Sequence, residues 1–138
     1  MSQLFHLNSK QWFMGYNVNY NKEEDVMEIT LQGHFNFREI IKADFAVNEA
    51  AKNNNVARLL IDLTLALLDA NRTELFELPS SFYTKWRMNP ATRIALIEPL
   101  DKDAKGKAEF YIFASQNLGW FTNMFPNRKK ALKWLQAK

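Results

Sequence analysis

The chain has 138 residues, 47% hydrophobic and 14% aromatic, with 18 basic and 15 acidic side chains and no cysteine. That hydrophobic content excludes a disordered chain, and the length suits one domain, residues 1–138, that removes roughly two thirds of its unfolded surface from water. Without cysteine there is no disulfide framework, no thiolate nucleophile and no zinc site built on sulfur.

The net charge of +3 is unevenly spread. Residues 1–70 carry 6 basic and 9 acidic groups, a balance of −3, and residues 71–138 carry 12 and 6, a balance of +6. The basic residues are not interleaved with aromatics as a stacking platform requires, so no nucleic-acid partner is expected. The N-terminal MSQLFHLNSKQ has no basic region followed by a long apolar stretch, and no window approaches about 18 apolar residues. The expectation is a cytoplasmic protein with no membrane span.

Gln11 to Asn19 alternates in period two after Phe13, and Val26 to Gly33 alternates again beyond the polar turn Asn21 to Asp25. The pair predicts an antiparallel hairpin with a loop of about four to six residues. Asn36 followed by Glu39 fits a helix N-terminus. The helix has a broad apolar face (Phe37, Ile40, Ile41, Ala43, Phe45, Val47, Ala50, Ala51), and Asn53, Asn54 and Asn55 end it. Val56 to Thr64, VARLLIDLT, leaves no polar side to present to water and predicts a central strand buried on both faces that stops before a polar loop.

A second helix follows, with Asn71 and Glu74 spaced as a capping box and Leu75, Phe76, Phe82, Tyr83 and Trp86 on its apolar face. Pro79 kinks or restarts it, and Asn89-Pro90 closes it. Arg93 to Glu98 is a second short apolar strand, and Pro99 to Gly106 is the most polar loop. A helix over 108–118 ends at Gly119, Trp120 to Phe125 is β-prone, and Asn127 caps a last amphipathic helix with Ala131, Leu132, Trp134 and Leu135 inward. The order is β-β-α-β-α-β-α-β-α. It predicts an α/β fold with one mostly parallel sheet, an antiparallel N-terminal edge hairpin and helices on the faces.

Ligands of open α/β sheets bind beyond the carboxyl ends of the strands. Those ends carry His34, Asp62, Thr64, Asp69, Asn71, Arg72, Glu98 and Asp101, with Thr73 one position into the following helix. Carboxylates, a hydroxyl and an imidazole together allow acid/base or metal chemistry. Loop amides and helix capping explain Asp62, Thr64, Asn36 and Asn71 without any. Neither His34 nor His6 has metal-ligand spacing, and the four glycines form no nucleophile elbow or phosphate cradle. No catalytic residue, metal or cofactor is assigned. Phe76, Phe82, Tyr83 and Trp86 are core aromatics or the lining of an apolar pocket between helices and sheet.

The element order, with IDLT ending the central strand, RIALIEP ending the next and the closing MFPNRKKALKWL, resembles the SpoIIAA-like branch of the STAS superfamily, also described as STAS/SEC14-like. The best understood members carry Asp-Ser-Ser-Gly after the central strand, with a phosphorylated serine. The matching stretch is Asp69-Ala70-Asn71-Arg72, which keeps the aspartate and lacks the serines and glycine. The resemblance therefore implies a non-enzymatic regulatory or protein-interaction module without the phosphoserine switch, Thr73 being the one exception to weigh. The alternative is a small carrier or sensor of an apolar or lipid-like ligand, and an enzyme ranks third. The implied partners are another protein, a second copy in a homodimer, or a small apolar ligand.

Overall fold

The structure, a computed structural model, describes residues 15–138. Strands β1 (Tyr16–Asn21) and β2 (Val26–Asn36) form the expected hairpin, from Tyr16 opposite Leu31 to Asn21 opposite Val26. Its four-residue turn closes through Asp25, whose φ of 55° suits an aspartate. The part of the predicted first strand before Gly15 lies outside the described residues. Helix α1 (Phe37–Asn53) has the capping box at Asn36 and Glu39, each bond 2.9 Å long, and the chain leaves it through Asn55 at φ 57°. Ile40, Ala43, Val47 and Ala51 are its buried stripe. Phe45, expected inward, is 42% exposed and meets Trp86 edge-on at 5.3 Å.

Strand β3 is longer than its sequence pattern predicts. It runs over Arg58–Asp69, so the segment after Thr64 is strand and not loop. The cause is a bulge opposite Leu31, where the parallel register jumps from Thr30–Asp62 to Gln32–Leu65. Asp62 pins it, its Oδ1 accepting from the Thr64 amide at 3.0 Å and the Thr64 hydroxyl at 2.6 Å. One extra residue reverses the alternation, so Ala66 and Leu68 continue the core row of Leu59, Ile61 and Leu63 while Leu65 and Leu67 point away. The same pairing carries β2 past Gly33 to Asn36.

Helix α2 (Arg72–Glu77) has its capping box at Asn71 and Glu74 and continues through one π-helical turn (Leu78–Phe82) into a closing turn (Tyr83–Lys85). Pro79 has no N–H to donate, and the chain widens there, the Tyr83 amide reaching back to the Leu78 carbonyl. The segment stops at Arg87, at φ 58°, before the predicted Asn89-Pro90. After β4 (Arg93–Ile97), helix α3 spans Lys102–Asn117. It begins six residues earlier than its apolar pattern predicts, because Asp101 caps it through the Ala104 amide at 2.9 Å and its first turns are solvated and polar. Strand β5 (Phe121–Phe125) and helix α4 (Arg128–Gln136), capped by Asn127, complete the chain.

The sheet order is β1-β2-β3-β4-β5, with β1 antiparallel and the rest parallel. Three successive crossovers advance in one direction, and right-handed connections then put α1, α2 and α3 on the same face. That face holds the main core, built on Met27, Ile29, Leu59, Ile61, Ile94 and Leu96. Among the described residues α4 covers the other face, where Ala131 and Leu135 meet Val26, Leu60, Ala95 and Ile97. We expect Leu59→Ala to cost about 2–5 kcal/mol and Leu67→Ala to stay within about 0.5 kcal/mol of the parent, as read from urea unfolding midpoints.

Candidate functional site

The three helices of the main core face meet over a small cavity of about 70 Å³, walled by Ile29, Leu31, Ile61, Leu63, Leu75 and Leu96 among others. Three polar side chains come together beside it. Helix α1 supplies Asp44, the closing turn after the π-helical turn supplies Tyr83, and α3 supplies Tyr111, exposed by 8%, 0% and 7%. The Tyr83 hydroxyl donates to Asp44 Oδ2 at 2.8 Å and forms a very short hydrogen bond with the Tyr111 hydroxyl. Asn48, one turn along α1, donates from Nδ2 to Asp44 Oδ1 at 3.1 Å and to the Asp44 carbonyl at 2.8 Å.

Burial dominates the electrostatics. Removal from water pushes the Asp44 carboxyl up from 3.8 to about 6, against the hydrogen bonds from Tyr83 and Asn48 that favour the carboxylate. Burial, with Asp44 nearby, raises both phenols well above their ordinary value, so Tyr83 and Tyr111 keep their protons. Both carboxyl oxygens are already engaged, which leaves the cavity wall almost wholly apolar. Lys107 stands at the wall, donating to the Leu68 carbonyl at 2.7 Å and pairing with Asp103 at 2.9 Å.

The residues expected at the strand ends divide into three places. His34 and Asp69 lie on the paired extension of β2 and β3, both exposed, with His34 opposite Leu67 and Asp69 opposite Asn36. Asn71, Arg72 and Thr73 open α2 beside the start of α3, around a shallow groove shared with Lys102, Asp103, Gly106 and Lys107. Asn71 is occupied by its capping box, and Arg72 lies over the Phe110 ring at 5.4 Å. Asp62 and Thr64 bond each other at the bulge, while Glu98 lies between β5, through its amide to the Phe125 carbonyl, and Lys105 at 3.7 Å.

Of the four aromatics read as a pocket, Tyr83 lines the cavity. Phe82 and Trp86 pack at the seam of α1 and α2, 5.4 Å apart and against Phe37 and Phe45, and Phe76 is 41% exposed. Among the described residues no three histidine or carboxylate side chains gather as a metal site, and no helix is long and apolar enough to cross a membrane. Sequence reasoning missed Asp44, and it counted Tyr111 among the core or cavity aromatics without singling it out. Asp44 did leave a signal: with Asn48 it interrupts the i, i+3, i+4, i+7 stripe of Ile40, Ala43, Val47 and Ala51, where a charged residue has no solvent to face.

No protein-family model matches the chain, and no curated protein matches it. An uncharacterized protein of the DUF3478 family from Shewanella loihica PV-4, whose crystal structure has a SpoIIAA-like fold, is similar over 93% of this chain and 99% of that chain, with a TM-score of 0.57 and 13% identity. The chain has a SpoIIAA-like fold. At this identity the likeness is one of fold alone.

Asp44 makes stability depend on pH in a defined direction. Its folded pKa of about 6 lies above the ordinary value of 3.8, so its contribution is fully present below pH 3.8 and is lost as pH rises through 6. Two pKa units correspond to roughly 3 kcal/mol as an upper scale. We expect the parent to lose stability between pH 4 and 7 relative to Asp44→Asn, whose amide can still accept from Asn48 and donate to Tyr83. Parallel urea titrations across that range giving the same slope for both proteins would refute the assignment.

Proposed function

We propose that the protein is a non-enzymatic, SpoIIAA-like interaction module that engages a protein partner through the projecting ribbon of β2 and β3. The observation that carries this is an exposed apolar row on the ribbon. Beyond the bulge, β2 and β3 continue past the described pairs with β1 and β4, and their outward face pairs Gln32 with Leu65, His34 with Leu67 and Asn36 with Asp69. Leu65 is 57% exposed and Leu67 37%, and Leu100, 76% exposed, is tied beside them by its amide to the Thr64 carbonyl. Apolar side chains grouped on a surface and rimmed by polar ones are the usual mark of a protein contact. The SpoIIAA-like resemblance of the sequence implies the same class of function.

Contact here is permanent in character. Ala70 is buried, Asn71 is held by its capping box, and Arg72 rests over Phe110, so the phosphoserine position of the resembling family has no counterpart that can be switched. Thr73 is exposed in the first turn of α2. Leu65→Glu with Leu67→Glu should leave the fold intact and abolish co-purification of the partner or, if the partner is a second copy, dissociate the dimer in sedimentation velocity. Thr73→Glu should change neither. Retention of every partner and of the parent's oligomeric state in the double variant would remove this surface from consideration.

The cavity supports a second function, a sensor of a small apolar ligand. Its volume of about 70 Å³ is around half that of a cavity of about 150 Å³ that accepts benzene, so it suits a ligand of a few heavy atoms and not an acyl chain. Xenon pressure should shift the methyl resonances of Ile29, Ile61 and Leu63 in the parent and leave them unmoved in Ala108→Leu, which fills the wall. Unperturbed methyls in the parent would end the ligand hypothesis.

A further inference from the structure

At the end of the sheet opposite the ribbon, two helices stop in the same way on one cavity. Helix α1 leaves through Asn55 at φ 57°, with the Val56 amide reaching back to the Ala51 carbonyl at 2.8 Å. The closing turn after α2 leaves through Arg87 at φ 58°, with the Met88 amide reaching the Tyr83 carbonyl at 2.9 Å. Both are Schellman ends, which put one residue in the left-handed region. Asparagine is tolerated there and glycine is usual, whereas arginine carries a steric cost that glycine does not. The chain enters β3 and β4 from these two ends, joined by the Arg93 amide on the Ala57 carbonyl at 2.9 Å, and the cavity between them measures about 130 Å³.

Two polar side chains of its wall are buried without being satisfied. Thr92 is 4% exposed and Asn48 7%. Asn48 spends its Nδ2 on Asp44, and among the described residues neither its Oδ1 nor the Thr92 hydroxyl has a hydrogen-bond partner. Unlike the sealed Oδ1 of Asn17, both atoms keep some accessible surface, and the cavity is the space that their residues line. A polar group this deeply placed recovers its lost hydration from whatever fills the site.

The chemistry of the walls selects the ligand. Among the described residues the lining holds two cations, Lys52 and Arg87, and no carboxylate. Lys52 is committed, its Nζ donating to the Trp86 carbonyl at 2.8 Å and pairing with Glu49 at 3.4 Å. The guanidinium of Arg87, an exposed residue, has no ion pair among the described residues and suits a carboxylate, which it can hold by two parallel bonds. On the inner wall, Asn48 Oδ1 only accepts and the Thr92 hydroxyl does either, so the group that belongs there is a hydroxyl. A second anionic oxygen would meet the amide oxygen, and an ammonium would be buried with no carboxylate in the lining. The volume is just below the roughly 150 Å³ that accepts benzene, which limits the ligand to about six heavy atoms. We propose that this cavity binds a short hydroxycarboxylate, of the size of glycolate or lactate, with its carboxylate on the Arg87 guanidinium and its hydroxyl between Asn48 Oδ1 and Thr92.

The experiment is a titration of the full chain with millimolar glycolate and lactate, followed by the Thr92 backbone amide and the Asn48 side-chain amide resonances. Propionate, which lacks the hydroxyl, alanine, which has an ammonium in its place, and inorganic phosphate are the comparisons. At least one hydroxy acid should shift both resonances saturably, and each comparison compound should bind about tenfold more weakly or not at all. Arg87→Gly should abolish the response and raise the melting temperature by about 2 °C, because the left-handed position then holds the residue it favours. Thr92→Val, which removes a hydroxyl with no partner to lose, should keep the parent's melting temperature and weaken binding about tenfold. The proposal is overturned if neither hydroxy acid shifts the parent, if propionate, alanine or phosphate binds as tightly, or if the full response survives in Arg87→Gly or Thr92→Val. A melting temperature for Thr92→Val below that of the parent would overturn it too, since the hydroxyl would then be structural.

Discussion

The strand order β2-β3-β4-β5 advances in one direction, and every functional feature of this fold depends on that constraint. A right-handed crossover places its helix on a side fixed by the direction of advance, and three crossovers in the same direction have no choice but to stack α1, α2 and α3 together. The crowded face receives the large residues and the aromatic seam. Among the described residues the opposite face is covered by α4, which packs on β3, β4 and β5 and reaches β2 at Val26 and Glu28. At the hairpin, Val18 and Tyr20 face the main core, and Asn17, Asn19 and Asn21 alternate with them on the other face.

Where a single residue is inserted matters as much as which residues are present. The bulge at Leu63 and Thr64 costs one ladder position and reverses the facing of everything after it. Asp62 accepts both the amide and the hydroxyl of Thr64, which satisfies the groups that the bulge would otherwise leave unpaired. Ala66 and Leu68 thereby stay in the core, and Leu65 and Leu67 become surface. The exposed apolar pair on β3 follows from the local geometry and from no special composition.

The buried carboxyl works in the opposite sense. Asp44 sits where the α1 stripe points straight at the core, so its charge is expensive and its proton is retained to about pH 6. Tyr83 and Tyr111, from two other helices, and Asn48 complete its bonds, and a polar network of this kind fixes how the three helices rest on one another. Packing of aliphatic residues alone would allow small slides of α2 and α3. A fully satisfied carboxyl between hydroxyls does not.

Local chemistry was legible in the sequence wherever neighbours along the chain decide the outcome. The capping boxes at Asn36 and Asn71, the cap at Asn127, the turn before Val26 and the α/β order all depend on residues within a few positions, and all were read correctly. The ends of β2, β3 and α3 were not, because the apolar run after Thr64 changes phase at a bulge that only the partner strand reveals, and the polar start of α3 carries no periodic signal. For the candidate site, the chain placed Asn71, Arg72 and Thr73 at a helix start from capping alone, and it marked Tyr83 as inward without saying what it met. The meeting of Asp44, Tyr83 and Tyr111, 39 and 28 positions apart, and of Asn48 and Thr92 with Arg87, was decided by the tertiary structure. Hydrogen bonds and burial at such separations depend on which face each element turns toward its neighbours, and that is set by strand order and crossover handedness, not by the residues on either side.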